Sequence, residues 1–331
     1  MRRTFLIFSL LFISALSKHH FDKKEFKNGF MHRFHKMRKF DPEKFKKWQE
    51  FLKFQKKERD FIPHNYESIA KTVNKLKTTW TAATYERDYT PLLGAILDGG
   101  QSLPEKTFPN KNINLPESFD PRVEYPNCES IKEIRSYSLS TAALAAIETM
   151  DDRICIQSGQ STRLSIQNLL NCCSLCQGIA SESWKHWLDN GIAKVECQPD
   201  DKEISGCTKN CDEGNQEPYS TQLIFADSVY GVSGENNIMQ ELYEHGPVEA
   251  VFTVYEDFYQ YTSGVYSHVA GSAAGGHAVK IIGWGVDNGV KYWLCANSWG
   301  KSWGENGFFR IKRGTNECGI ESSITTGLAK L

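Results

Sequence analysis

The sequence predicts an α+β protein, with helices gathered in its first half and strands in its second. Leu139, Ala143, Ile147, Met150 and Ile154 recur at the spacing of one helix face. Beyond about residue 220 the apolar residues fall instead in short, strand-like runs. Two of these, 278–282 and 290–296, flank Asp287-Asn288-Gly289, a strong local signal for a β-hairpin. The 331 residues suffice for one large or two ordinary domains with substantial cores.

Taken in order, Arg2-Arg3 and the apolar run 5–16 read as a secretory signal, with Ala15-Leu16-Ser17 as the cleavage site and residues 1–17 as the signal peptide. That run is too short to span a membrane. No later segment is long and apolar enough to do so, and no transmembrane segment is expected. Passage through the secretory pathway favours disulfides over thiols for the ten cysteines.

The net charge of −1 conceals a division. Residues 1–114 hold 23 Lys/Arg against 12 Asp/Glu, a balance of +11, and residues 115–331 hold 16 against 28, a balance of −12. A basic front on an acidic body implies mutual attraction, or a polyanionic partner for the front. Phe26, Phe30 and Phe34, then Phe45, Trp48 and Leu52, repeat as on a helix face within the lysine-rich stretch 18–60. Such helices either lie on a polyanion or anionic membrane, or pair on their own chain. Residues 65–80 are weakly amphipathic. The turn Asp98-Gly99-Gly100 and an extended linker over 101–114, with Pro104 and Pro109, end the basic region.

The hairpin carries His277, at the start of one strand, toward Asn297, at the end of the other. Simple pairing leaves them about three residues, roughly 10 Å, out of register. A bulge at Gly283 or Gly285 would close part of that gap. An imidazole beside a side-chain amide is an oriented base, two members of a nucleophile–base–orienter set. The plainer reading is that His277 ends a strand and Asn297 turns the chain toward Trp299.

From residue 115 the motifs become family-specific. LPESFDPR (115–122), IKEIR (131–135), DRICI (152–156), NLLNCC (168–173), 246–269, the hairpin and WGENGFFRIKRGTNECGIES (303–322) resemble cathepsin B-like members of the papain family of cysteine proteases. LKTTW (76–80) and LLGAILDGG (92–100) resemble the propeptide of such proteins. The resemblance implies a papain-like fold of two domains behind a helical propeptide over 18–114. A helical part, about 115–220, would face a β-barrel part, about 221–331, across a substrate cleft. It makes His277 the base, Asn297 its orienter and Trp299 the neighbouring tryptophan. Gly276 would line the cleft, and Ser323 would stand where a specificity pocket carries an acid.

The family's nucleophile is a cysteine that opens the central helix, its thiolate stabilised by the helix N-terminus and the histidine. Its local pattern, C-G-[SA]-C-[WY], is absent here. No cysteine lies between Cys128 and Cys155. Counting back from DRICI places the nucleophile at Thr141, preceded by Ser140. Counting forward from IKEIR places it at Ala143, with Tyr137 in the place of the oxyanion glutamine. The intervening segment 136–151 is two residues short of the family's. Ser140 or Thr141 would need full general-base help to attack, since neither approaches a thiol's acidity. Alternatively a hydroxyl there caps the helix. After Cys176 the run QGIASESW is shorter than the family's loop and lacks a cysteine and the glycine pair expected there. Only nine residues separate Cys197 from Cys207, too few for a histidine-bearing occluding loop.

The resemblance pairs Cys128 with Cys155, Cys172 with Cys207, Cys173 with Cys176, and Cys197 with Cys211, leaving Cys295 and Cys318 as thiols. On spacing alone Cys173, Cys176, Cys207 and Cys211 would also suit zinc. The reading that results is a secreted or lysosome-like peptidase homologue without its nucleophile. It would bind a peptide or protein ligand between its domains, a protease inhibitor or propeptide, or a polyanion through the basic front. No metal, cofactor or nucleic acid is expected. The alternative is an active endopeptidase using Ser140 or Thr141 with His277.

Overall fold

The computed structural model describes residues 66–85, 89, 92–97, 103–108, 114–136, 140–200, 206–212 and 214–331. The signal segment, the phenylalanine-rich stretch 18–60, Tyr137 and Leu139 lie outside the described residues.

Five helices of seven or more residues are described: α1 (Tyr66–Lys75), α2 (Thr141–Ser158), α3 (Ile166–Cys172), α4 (Ala180–Asn190) and α5 (Glu235–His245). Strands β1 (Trp80–Ala82), β2 (Ile192–Ala193), β3 (Leu223–Ile224), β4 (Ala226–Val232) and β5 (Val248–Tyr255) are followed by β6 (Tyr261–Tyr266), β7 (Ala273–Asp287), β8 (Val290–Ala296), β9 (Phe308–Lys312) and β10 (Ile324–Ala329). The strand-rich half is a sheet of order β1-β6-β9-β8-β7-β5-β10-β4, while β2 and β3 pair separately.

Helix α2 is the axle of the helical half. Ser140 caps it, its side-chain oxygen accepting from the Ala143 amide, and Gly159 ends it in the left-handed conformation. The sequence stripe marks one apolar face, but every residue from Thr141 to Cys155 is buried, including Glu148, Asp151, Asp152 and Arg153. A helix buried on all sides must pair its charges. Asp152 Oδ2 takes a hydrogen bond from Lys280 Nζ of β7 at 2.6 Å, both side chains fully buried. That pair ties α2 to the strand carrying His277.

The hairpin forms as expected and is longer than the apolar runs suggested. Asn288 and Gly289 take positive φ values of 49° and 80°, the turn's requirement. The β7–β8 register shifts between Ile281 and Gly283, the anticipated bulge. Gly283 is needed there, since a Cβ would stand 2.1 Å from the Phe119 carbonyl oxygen.

The four disulfides join Cys128–Cys155, Cys172–Cys207, Cys173–Cys176 and Cys197–Cys211, and Cys295 and Cys318 are free. The four candidate zinc ligands are thereby consumed in bridges.

The described part of the basic region is built into the body. Strand β1 extends the sheet by pairing antiparallel with β6, Trp80 opposite Gly264. Gly264, with φ 96°, lets the Thr79 carbonyl come to 2.4 Å from where a Cβ would be. Trp80 lies among Tyr261 and Tyr266, and Val73 and Leu93 join the same core. At β1 this docking is apolar and backbone-mediated.

Candidate functional site

The bulge in the hairpin decides the geometry of the site. Beyond it Lys280 opposes Ala296, so the next residue, Asn297, continues opposite Val279, two residues from His277. Without the shift the offset would be three. Because side chains alternate faces with a period of two, the bulge puts His277 and Asn297 on the same face. His277 Nε2 and Asn297 Oδ1 are 2.7 Å apart, and both residues are buried. Asn297 Oδ1 also accepts from the Ser298 backbone amide, which holds the side-chain oxygen in place, and the Asn297 backbone N–H donates to the Gly307 carbonyl.

Since Asn297 Oδ1 accepts, Nε2 of His277 carries the proton and Nδ1 holds the lone pair. Among the described residues Nδ1 has no hydrogen-bond partner. Burial pushes the imidazolium down to about 4, against an opposing pull from Asn297. At neutral pH the ring is therefore an uncharged base. Trp299 lies against it, ring centroids 4.9 Å apart, and Tyr89 stacks on Trp299 at 4.6 Å.

Thr141 opens α2 as its first helical residue, and its hydroxyl is buried without a partner. Helix α2 runs unbroken from Thr141 through DRICI, so both positions that counting reached, Thr141 and Ala143, lie in its first turn. Ser140 is occupied otherwise: its Oγ accepts from Ala143 and donates to the Gln177 carbonyl at 2.9 Å. The first turn of α2 meets β7 just past His277, where Ala142, Ala145, Ala180, Val251 and Ala278 form one buried cluster. Ser323 is buried beside it, its carbonyl accepting from the Val251 amide.

Sequence reasoning missed what lies against this site. Residues 92–97, hereafter the strap, bond to both Gly276 and Gly178. The Gly94 and Ala95 amides donate to the Gly276 carbonyl at 2.9 and 3.2 Å, and the Ile96 amide donates to Gly178 at 2.7 Å. Ala95 is fully buried in the alanine cluster. A Cβ on Gly276 would stand 2.0 Å from the Ala95 carbonyl oxygen, which gives this glycine its reason. Gly178, the single glycine of the shortened loop, thus holds the strap through its carbonyl. The motif LLGAIL gave the strap's kinship but nothing that specified its partners.

The family model described as "Papain family cysteine protease" matches residues 115–328. "Cathepsin B-like cysteine proteinase 3" of Caenorhabditis elegans is 44% identical over 249 residues, covering 66% of this chain and 67% of that protein. "Cathepsin B-like cysteine proteinase 4" of the same organism is 37% identical over 316 residues, covering 82% and 94%. Among solved structures, "proCathepsin B S9 from Trypanosoma congolense" aligns with a TM-score of 0.73 and 33% identity, covering 82% of this chain and all of that one.

Proposed function

We propose that this chain, which belongs to the papain family of cysteine proteases, binds peptide in its interdomain cleft without cutting it. The observation that carries this reading is the pairing of a complete base with an incomplete nucleophile. His277 presents a free Nδ1, while the helix start that should supply sulfur supplies Thr141. A hydroxyl at that place lacks a thiolate's standing negative charge, and a neutral His277 of depressed basicity is a poor agent for removing its proton. Ser140 is further from the role, because its hydroxyl already caps α2 and bonds to Gln177.

The strap supports the binding half of the proposal. It uses backbone donors against Gly276 and Gly178, so recognition is of extended main chain with a small residue in the alanine pocket. In this reading His277 and Asn297 are a retained base and orienter, and Thr141 is the vacant nucleophile position. Gly276, Trp299 and Ser323 line the binding site. Peptides, protease propeptides and protease inhibitors are the proposed ligands, with polyanions a further partner for the basic front. The four disulfides accord with an extracellular or lysosome-like compartment reached through the secretory pathway. Among the described residues no helix is long and apolar enough to cross a membrane.

The test mixes the full chain, as wild type and Ala95→Arg, with a defined peptide library; arginine does not fit the buried alanine cluster, so the strap is displaced while the site is unaltered. Peptides retained preferentially by Ala95→Arg and recovered intact support the reading. Cleaved peptides refute its central half, and equal, negligible retention by both proteins refutes the binding half.

A further inference from the structure

We propose a second recognition site, away from His277, built from Glu241, Tyr230 and the outer edge of β4. Its ligand is a lysine side chain carried on an extended segment. In this chain Lys106 is the resident occupant.

Strand β4 ends the sheet, so its outer edge offers unpaired backbone groups. Residues 104–106 fill it. The Gly231 amide donates to the Pro104 carbonyl and the Lys106 amide donates to the Gly231 carbonyl, both at 2.9 Å, with Glu105 bridged in parallel to Gly231. This backbone ladder places the Lys106 ammonium 2.8 Å from Glu241 Oε2 and 3.2 Å from the Tyr230 hydroxyl. The ammonium also lies 4.6 Å from the Tyr230 ring centre and 4.9 Å from that of Phe108.

The decisive feature is the state of Glu241. Its side chain is fully buried, and Oε1 is already held by Arg153 at 2.5 Å and by the Tyr230 hydroxyl at 2.8 Å. Arg153 is committed in turn to the Pro247 and Gly246 carbonyls. Among the described residues, Lys106 is what meets Oε2. Withdrawing it leaves a buried carboxylate oxygen without a donor, a loss that a cation on an incoming strand would repair. The edge supplies the backbone half of recognition and Glu241 the side-chain half. The inference stands whether or not the cleft cuts peptide.

The test uses hydrogen exchange on the full chain as wild type, Lys106→Met and Lys106→Arg, with β7 amides as the folding control. Lys106→Met is expected to speed exchange at Gly231 about tenfold or more, the scale of a lost charged hydrogen bond. Lys106→Arg, which keeps the charge, is expected to restore most of the protection. Added acetyl-Leu-Pro-Glu-Lys-Thr-Phe-amide should protect Gly231 again in Lys106→Met, and the same peptide with methionine for lysine should not. Wild-type protection of Gly231 in Lys106→Met, or equal protection by the two peptides, would overturn the proposal. Should Lys106→Met disturb β7, competition of the two peptides for Lys106→Arg decides the matter in the same way.

Discussion

Asn297 Oδ1 lies 2.7 Å from Nε2 of His277, and that hydrogen bond sets which ring nitrogen is the base. It leaves Nδ1 without a hydrogen-bond partner among the described residues. Removing the amide, as Asn297→Ala, frees the tautomer to exchange. In nitrogen-15 spectra the wild type is expected to show one tautomer protonated at Nε2, and Asn297→Ala a mixture. A single Nε2-protonated tautomer in both would show that Asn297 does not orient the ring.

The depressed basicity of His277 has a direct stability consequence. Its folded value of about 4 lies below the ordinary 6.5, so between those values the unfolded chain binds more protons. Stability therefore rises with pH across that window. The contribution is fully present above pH 6.5 and is lost as pH falls toward 4, amounting to about 3 kcal/mol. Chemical denaturation of wild type and His277→Gln at pH 7.5 and 4.5 measures the effect, and the acid loss should be smaller in His277→Gln.

Gly276→Ala sets a Cβ against the Ala95 carbonyl oxygen, at a separation of 2.0 Å before any shift. Backbone atoms cannot swing aside as a side-chain tip does, so the strap must lift. Exchange at the Gly94, Ala95 and Ile96 amides should rise sharply while the β5–β7 ladder stays protected. Unchanged strap protection would mean that the strap is held elsewhere.

Ser140 joins the start of α2 to the Gln177 carbonyl, in a region where the family resemblance implies a disulfide that this chain lacks. Ser140→Ala removes a helix cap and this link together. The expected cost is about 1–2 kcal/mol, and Ser140→Thr should recover part of it. Thermal melting of the three proteins checks this, with equal melting temperatures counting against the link.

Trp80 anchors β1 against Tyr261 and Tyr266. Its truncation to alanine should loosen β1 by about 3–5 kcal/mol, the usual cost of emptying a large aromatic site. Raising sodium chloride should leave exchange at β1 nearly unchanged in wild type, because apolar docking is not screened. Marked loosening of β1 by salt would restore charge attraction as its main fastening.

These expectations also mark what the sequence could and could not convey. The hairpin was legible because Asp287-Asn288-Gly289 and the flanking runs specify a local structure, and Gly283 signalled its bulge. Cysteine pairing was legible through family resemblance rather than spacing, which left zinc open. The buried charges of α2 were not, because the Lys280–Asp152 partnership spans 128 positions and no local period announces it. The strap was opaque for the same reason: Ala95 and Gly276 meet through backbone atoms, whose pairing side-chain chemistry does not encode. Charge totals could not name the docking contacts, since the described ones use Val73, Trp80 and Leu93 as well as the ion pair of Lys106 with Glu241.

The central claim is that the cleft binds without cutting. The most direct measurement is single-turnover peptide hydrolysis at pH 5 and pH 7, using stoichiometric wild type, Ala95→Arg and Thr141→Cys, with His277→Ala and Thr141→Ala as controls. The account predicts no product from any of them. Thr141→Cys restores sulfur but not the oxyanion geometry, and a displacement of about 1 Å can cost ~100-fold in rate. Product from wild type or Ala95→Arg that vanishes when His277→Ala or Thr141→Ala is introduced would contradict the account and establish a hydroxyl nucleophile.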